Sequence, residues 1–174
     1  MTDGAAQGAV PATSPQRGVP TKNAAGAVPT TNTLDAVLPT AGSVLALREF
    51  TVTREDLIRY AGASGDFNPL HWSDRIAKDA DLPTVISHGM LTMALAARVL
   101  TDWAGDPGAV VEYGARFARP VVVPDDAYGV VVTASAAVRE VRDDGLLDVE
   151  LTVRSGEQKV LTQARAVVRP RTGR

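Results

Sequence analysis

The order of elements legible along the chain predicts an α+β domain in which a single curved antiparallel sheet wraps a central helix. Three observations carry that prediction. One strand-like run comes first, then a block of helical patterns, then four more strand-like runs. The longest helical pattern, from about His88 to Trp103, is apolar almost all round, through Met90, Leu91, Met93, Ala94, Leu95, Ala96, Ala97, Val99 and Leu100, so it needs cover on several sides. Asp143-Asp144-Gly145 and Ser155-Gly156 supply turns between the last three strand-like runs, which read as an antiparallel meander.

Residues Met1 to Thr33 are built from Ala, Thr, Gly and Pro, with no aromatic residue and only Asp3, Arg17 and Lys22 charged. Such a segment cannot bury enough apolar surface to offset its ordering entropy, so residues 1–33 read as a disordered leader and residues 34–174 as the domain. Gly-Ala-Val-Pro occurs at Gly8 to Pro11 and again at Gly26 to Pro29, which marks low complexity and not a structural repeat. Within the domain, Ser43 to Val52 reads as the first strand. Thr53 followed by Asp56 is close to a capping box and opens a helix whose Leu57, Ile58, Tyr60 and Ala61 share a face, ending near Gly65. Ser73 caps a short second helix through Ile76 and Ala80, and Ser87 is read as the cap of the apolar one. Val110 to Arg119, Gly129 to Val141, Leu146 to Arg154 and Lys159 to Val168 are the remaining strands. A hot-dog fold fits this order, whereas a doubly wound sheet would need strands and helices to alternate throughout.

Composition excludes several functions. With 174 residues, 45% apolar and 22% charged, the chain has room for one domain with a real core. Its 18 Lys+Arg against 20 Asp+Glu give a net charge of −2, which lacks the footprint of a nucleic-acid binder. The absence of cysteine removes disulfides, thiolate catalysis and Cys-based metal sites, and suits a reducing, cytoplasmic compartment. No basic-then-apolar signal segment and no membrane-length apolar run stand out, so neither export nor anchoring is expected.

The informative stretch is Tyr60-Ala61-Gly62-Ala63-Ser64-Gly65-Asp66-Phe67-Asn68-Pro69-Leu70-His71, with Ala77 beyond it. Pro69 cannot continue a helix and pushes Asn68 toward extended geometry, so Asp66 and His71 fall on a sharp turn that can aim both at one point. A carboxyl group and an imidazole together can give one proton to a substrate while taking another. Asn68 lies between them, where its amide is positioned to fix the carboxylate or a water. Asp-x-Asn-Pro is by itself also a common turn signal. Two histidines, His71 and His88, at unrelated spacing make a metal site an unfavoured reading. Gly62-Ala63-Ser64-Gly65 falls short of a nucleophile elbow, which leaves Ser64 to help close the turn.

The complete string resembles the signature of the R-specific enoyl-CoA hydratases and MaoC-like dehydratases, Gly-Asp-x-Asn-Pro-(aliphatic)-His followed six residues later by Ala or Ser. Here those places are Gly65, Asp66, Asn68, Pro69, Leu70, His71 and Ala77. Ala63 departs from the pattern, at a place where Gly or a larger aliphatic residue is usual. From about Leu45 to Pro170 the chain also resembles the catalytic, HadB-type subunits of mycobacterial-type (3R)-hydroxyacyl-ACP dehydratases, through Leu70-His71-Trp72, Ile76-Ala77-Lys78, His88 to Met93 and Trp103 to Val110. The leader has no counterpart there.

This resemblance implies one hot-dog domain, an acyl thioester substrate on ACP or CoA, no metal or organic cofactor, and a dimer that joins two sheets. The partner is a second copy or a related subunit. It carries the catalytic roles to Asp66 and His71 and the role of backbone oxyanion donor to Gly89, with Asn68, Ser64 and His88 in support. Some members of the family place a serine eight residues after this glycine, where this chain has Ala97. The first N–H groups of a helix starting at Ser87-His88-Gly89-Met90 are free and its dipole positive, which suits a developing thioester enolate. The implied reaction is reversible dehydration of (3R)-3-hydroxyacyl thioesters to trans-2-enoyl thioesters in acyl-chain biosynthesis. Hydration of enoyl-CoA in β-oxidation is the alternative, and a hot-dog thioesterase or a noncatalytic scaffold subunit are those of other classes. Either member of the pair can be the base. The preferred assignment makes His71 the base and Asp66 the acid during dehydration, the carboxyl pKa raised by burial. Arg75, Lys78, Arg116 and Arg119 are candidate contacts for carrier phosphates.

Overall fold

In a computed structural model, residues 39–170 are described; the leader expected over residues 1–33 lies outside them. The elements are β1 (Val44–Val52), α1 (Arg54–Ser64), a 3-10 turn (Pro69–His71), α2 (Asp74–Asp79), α3 (Gly89–Ala104), a second 3-10 turn (Pro107–Ala109), then β2 (Val110–Phe117), β3 (Val130–Val141), β4 (Leu147–Ser155) and β5 (Gln158–Val168). All five strands form one antiparallel sheet in the order β1-β3-β4-β5-β2, so β1 and β2 are its edges.

Period-two alternation decides which face of the sheet is dry. Val132, Ala134, Ala136 and Val138 of β3, and Leu147, Val149, Leu151 and Val153 of β4, are buried. They share one core with Ala96, Val99, Leu100 and Ala104 of α3. Among the described residues the apolar helix is therefore covered on one side only. Its opposite side, including Ala94, Arg98 and Met90 at 56% exposure, is open. The cover on several sides that its sequence calls for is not supplied by the described residues, because one five-stranded sheet cannot close around it.

Three devices set the ground for the site. First, β5 carries one extra residue between Leu161 and Arg165 relative to Glu150–Val153 of β4, a bulge at which Gln163 takes φ 49°. A second extra residue, Val160, lies between Lys159 and Leu161, which face Arg154 and Val153, so Val160 and Leu161 are both buried. Second, Val85 to Ser87 pairs with Val121 to Val123 through Ser87 N–H to Val121 O (2.8 Å) and Val123 N–H to Val85 O (3.0 Å), around the bridge Ile86–Val122. Pro120 and Pro124 flank this short run and hide it in the sequence as loop.

Third, the Arg54 guanidinium of α1 grips both carboxylate oxygens of Asp74 on α2 (2.8 and 2.9 Å) and reaches Thr84 Oγ1 (2.7 Å). Thr84 also donates to Asp74. Arg54 holds the Asp74 carboxyl well below the usual carboxylate range. A depressed folded-state pKa means stabilisation that is present above the unfolded value and is lost as pH falls below about 4. Asp74→Asn is therefore expected to lower Tm at pH 7 and to flatten the fall in Tm between neutral and acid pH. Calorimetry across that range checks it, and parallel curves for the two proteins would contradict it.

Candidate active site

The site grows from the C-terminus of α1. Thr53 and Asp56 form the expected capping box, Thr53 N–H donating to Asp56 Oδ2 (2.9 Å) and Asp56 N–H to Thr53 Oγ1 (3.3 Å). At the other end Gly65 is left-handed at φ 76° and its N–H closes on Ala61 O (2.9 Å), which reverses the chain into Asp66. The Ser64 hydroxyl donates to Tyr60 O (2.8 Å) and accepts from Asp66 N–H (3.2 Å), so it sits inside the turn. Asn68 works differently from its sequence reading. Its backbone N–H, not its side-chain amide, contacts the Asp66 carboxylate (3.2 Å to Oδ1), while its side-chain oxygen accepts from Leu70 N–H (3.1 Å) and caps the 3-10 turn begun by Pro69. Trp72 Nε1–H ties down Phe67 O (3.1 Å).

This turn delivers His71 beside Asp66. His71 Nδ1–H donates to Ile86 O (2.7 Å), and Ile86 N–H returns a bond to Leu70 O (3.2 Å). The tautomer is thereby fixed with the lone pair on Nε2. No signal in the sequence marks Ile86, since the partner is a main-chain carbonyl supplied by the Val85–Ser87 bridge.

Helix α3 begins one residue later than the sequence reading places its cap. His88 is the N-cap residue and makes no side-chain cap bond, while the Ser87 hydroxyl donates to His88 O (3.3 Å) instead. Ser87 is held in the bridge to Val121 and its backbone is not free to serve as the cap. Gly89 is the first helical residue, where backbone N–H groups have no intrahelical acceptor and the dipole is positive.

Asp66, His71, Ile86, Ser87, Gly89 and Met90 line one wall of a pocket of about 440 Å³, and Phe117 to Val121 with Val160 and Leu161 line the other. Among the four cations considered for carrier phosphates, Arg119 reaches the pocket wall, whereas Arg75 is paired with Asp79 (3.2 Å). Asp66 itself is exposed, so the burial expected for its carboxyl is not provided by the described residues.

Phe117 was not legible as a site residue. A Cβ built on Gly89 would lie 3.0–3.3 Å from its ring, so the absence of a side chain at Gly89 keeps the pocket floor clear and makes room for this ring. Phe117 is 55% exposed and can give way. Gly89→Ala is thus expected to fold with nearly unchanged Tm and, if the pocket is the site of turnover, to lose about tenfold or more in kcat/KM, because its methyl fills space in the pocket. Unchanged kcat/KM would show that the thioester carbonyl does not approach Gly89.

The groups that could ligate a metal among the described residues are Asp66, His71 and His88, whose donor atoms lie within 4.8 Å of one another. Their geometry fits an ion poorly. The two rings stack with centroids 3.7 Å apart and planes inclined by 25°, so their in-plane lone pairs do not converge, and one nitrogen of each ring is committed to a carbonyl.

The description "MaoC like domain" matches residues 37–155, most of the chain. The chain belongs to the MaoC-like domain family. Its fold is accordingly the hot-dog fold, and a solved MaoC-like dehydratase superposes on it with a TM-score of 0.69 at 36% identity, over 76% of this chain and 42% of that one. Among curated relatives, the 3-hydroxyacyl-thioester dehydratase X of Mycobacterium tuberculosis is 40% identical over 87 residues, 50% of this chain and 28% of the relative. The mitochondrial 3-hydroxyacyl-[acyl-carrier-protein] dehydratase of Arabidopsis thaliana is 36% identical over 99 residues, 56% of this chain and 57% of the relative. The MaoC-like chain therefore spans between about a quarter and three fifths of the length of these relatives. No helix among its described residues is long and apolar enough to cross a membrane.

Proposed function

We propose that this MaoC-like chain catalyses the reversible dehydration of (3R)-3-hydroxyacyl thioesters to trans-2-enoyl thioesters, on acyl-ACP in fatty-acid or related acyl-chain biosynthesis in the cytoplasm. The observation that carries the reading is the fixed tautomer of His71. Its Nδ1–H is spent on Ile86 O, which leaves Nε2 as the free nitrogen of a ring that lines one pocket with the Asp66 carboxyl group. The α-proton of a thioester is only weakly acidic, so the reaction needs a base at Cα, an acid at the departing hydroxyl and a cradle for the enolate-like oxygen. In dehydration His71 Nε2 takes the Cα proton, and electron density moves onto the carbonyl oxygen beside Gly89 N–H. The C3–O bond then breaks as Asp66 gives its proton to the departing hydroxyl, releasing water. The proton gained by His71 returns to Asp66 to reset the pair. Hydration runs the same steps backward.

A second hot-dog subunit, identical or related, completes the pocket in this reading. Among the described residues, edge strand β2 has no partner on its outer side, Asp66 and Met90 are open, and the far side of α3 lacks cover. Incubating the purified full chain with crotonyl-CoA and with a crotonyl-ACP, while following loss of the enoyl chromophore and release of free thiol, tests the reading. Enoyl loss without thiol release is expected, and faster on ACP; thiol release would indicate a thioesterase. Preference for CoA would favour the β-oxidation alternative, and inactivity on both would favour a scaffold subunit.

A further inference from the structure

His88 is a buried polar side chain that the steps above do not use. It is 1% exposed and touches the site from below. Its Nε2 lies 3.1 Å from the backbone carbonyl oxygen of Asp66, its face stacks on the His71 ring at 3.7 Å, and the Tyr60 ring meets it edge-on at 4.9 Å. A carbonyl only accepts, so Nε2 carries the proton and Nδ1 is the bare nitrogen. That Nδ1 is buried without a hydrogen-bond partner.

Capping does not explain the residue. As N-cap of α3 its side chain caps nothing, and Ser, Asp or Asn would hold that helix end better. What an imidazole does here that those residues cannot is present an N–H to Asp66 and a flat face to His71 at once.

We propose that His88 is a positioning residue for the proton-transfer pair: its Nε2–H holds the Asp66 backbone, and its ring is the neutral platform on which His71 stacks. The inference rests on the reading of Asp66 and His71 as that pair. The groups facing His88 are Tyr60 from α1, Asp66 from the turn and His71 from the 3-10 turn, while the Thr92 hydroxyl of α3 donates to its backbone oxygen (3.4 Å). A second proton, on Nδ1, would bury a cation with an unpaired N–H against His71, and burial together with His71 pushes the His88 pKa down despite the opposing Asp66 carbonyl and carboxylate. Neutrality of the platform lets His71 become cationic when it takes the substrate proton.

Two variants separate the two contacts. His88→Phe keeps a buried ring and the stack but removes the donor; His88→Gln keeps a donor near the Nε2 position and removes the stack. Each is expected to lower kcat about tenfold or more with KM within about twofold and Tm little changed, as for a loss of alignment and not of binding. Combined with Asp66→Asn, His88→Phe should add less than about threefold, because the group it aligns is gone. The chain has only two histidines, so ring-nitrogen NMR of the untagged protein gives a second readout independent of turnover. His88 should remain the neutral Nε2–H tautomer through the range in which an ordinary exposed imidazole protonates. Wild-type kcat in both variants, a loss confined to KM, or a His88 that protonates as readily as an exposed imidazole or carries its proton on Nδ1 would overturn the proposal. A wild-type protein inert toward every thioester would defeat the dehydratase reading instead, and the nitrogen spectra would still decide the tautomer and charge of His88.

Discussion

Asp66→Asn is expected to leave the fold intact and to remove about 10² to 10⁴ of the turnover. The substitution is nearly isosteric, and its side-chain oxygen can still accept from Asn68 N–H, so the turn from Gly65 to His71 keeps the bond that shapes it. Helix α1 ends at Gly65 before the substitution, and the Ser64 contacts involve only the Asp66 backbone. An amide cannot give a proton to a departing hydroxyl or recover one from His71, and that is the only function removed. Steady-state kinetics with a crotonyl thioester, beside a melting curve, checks this. Turnover within a few-fold of wild type would take Asp66 out of the chemistry.

His71→Ala is expected to be as damaging, again by about 10² to 10⁴ in kcat. The double variant with Asp66→Asn should fall within about threefold of the worse single one, because two groups that pass one proton between them fail together. The structural cost differs, since His71 donates to Ile86 O and stacks on His88, both of which lose a partner in the alanine variant. A modest drop in Tm is therefore expected for His71→Ala and none for Asp66→Asn. Losses that multiply in the double variant would mean that the two residues act in separate steps.

Much of this site was legible because its residues are close in sequence. Thr53 and Asp56 announce the start of α1, Gly65 its end, and Asn68-Pro69 the turn that follows, so local rules alone bring Asp66 and His71 together. The strand runs were equally readable, since turn residues bound them and apolar residues fill them. What escaped depends on contacts far apart in the chain. Ile86 orients His71 through a carbonyl that every residue possesses. Phe117 reaches Gly89 from the end of an edge strand, and the Val121–Val123 run reads as loop between two prolines. Ser87 looked like a helix cap because Ser usually is one, but tertiary pairing with Val121 claims it first. His88 seemed a helix-start residue, and only the folded chain stacks it under His71. The extra residue in β5 has no sequence mark at all, because Gln163 adopts a positive φ that its type does not favour.

The central claim is that Asp66 and His71 exchange protons with the α-carbon and the 3-hydroxyl of a thioester held in one orientation. Hydration of crotonyl-CoA or crotonyl-ACP by the full chain in deuterated water, with analysis of the product's configuration, tests it most directly. The account predicts the (3R)-3-hydroxybutyryl thioester with a single deuterium placed on one face of C2, and no such product from the Asp66→Asn chain. A racemic or (3S) product, deuterium scattered over both faces of C2, or equal product from the Asp66→Asn chain would contradict it.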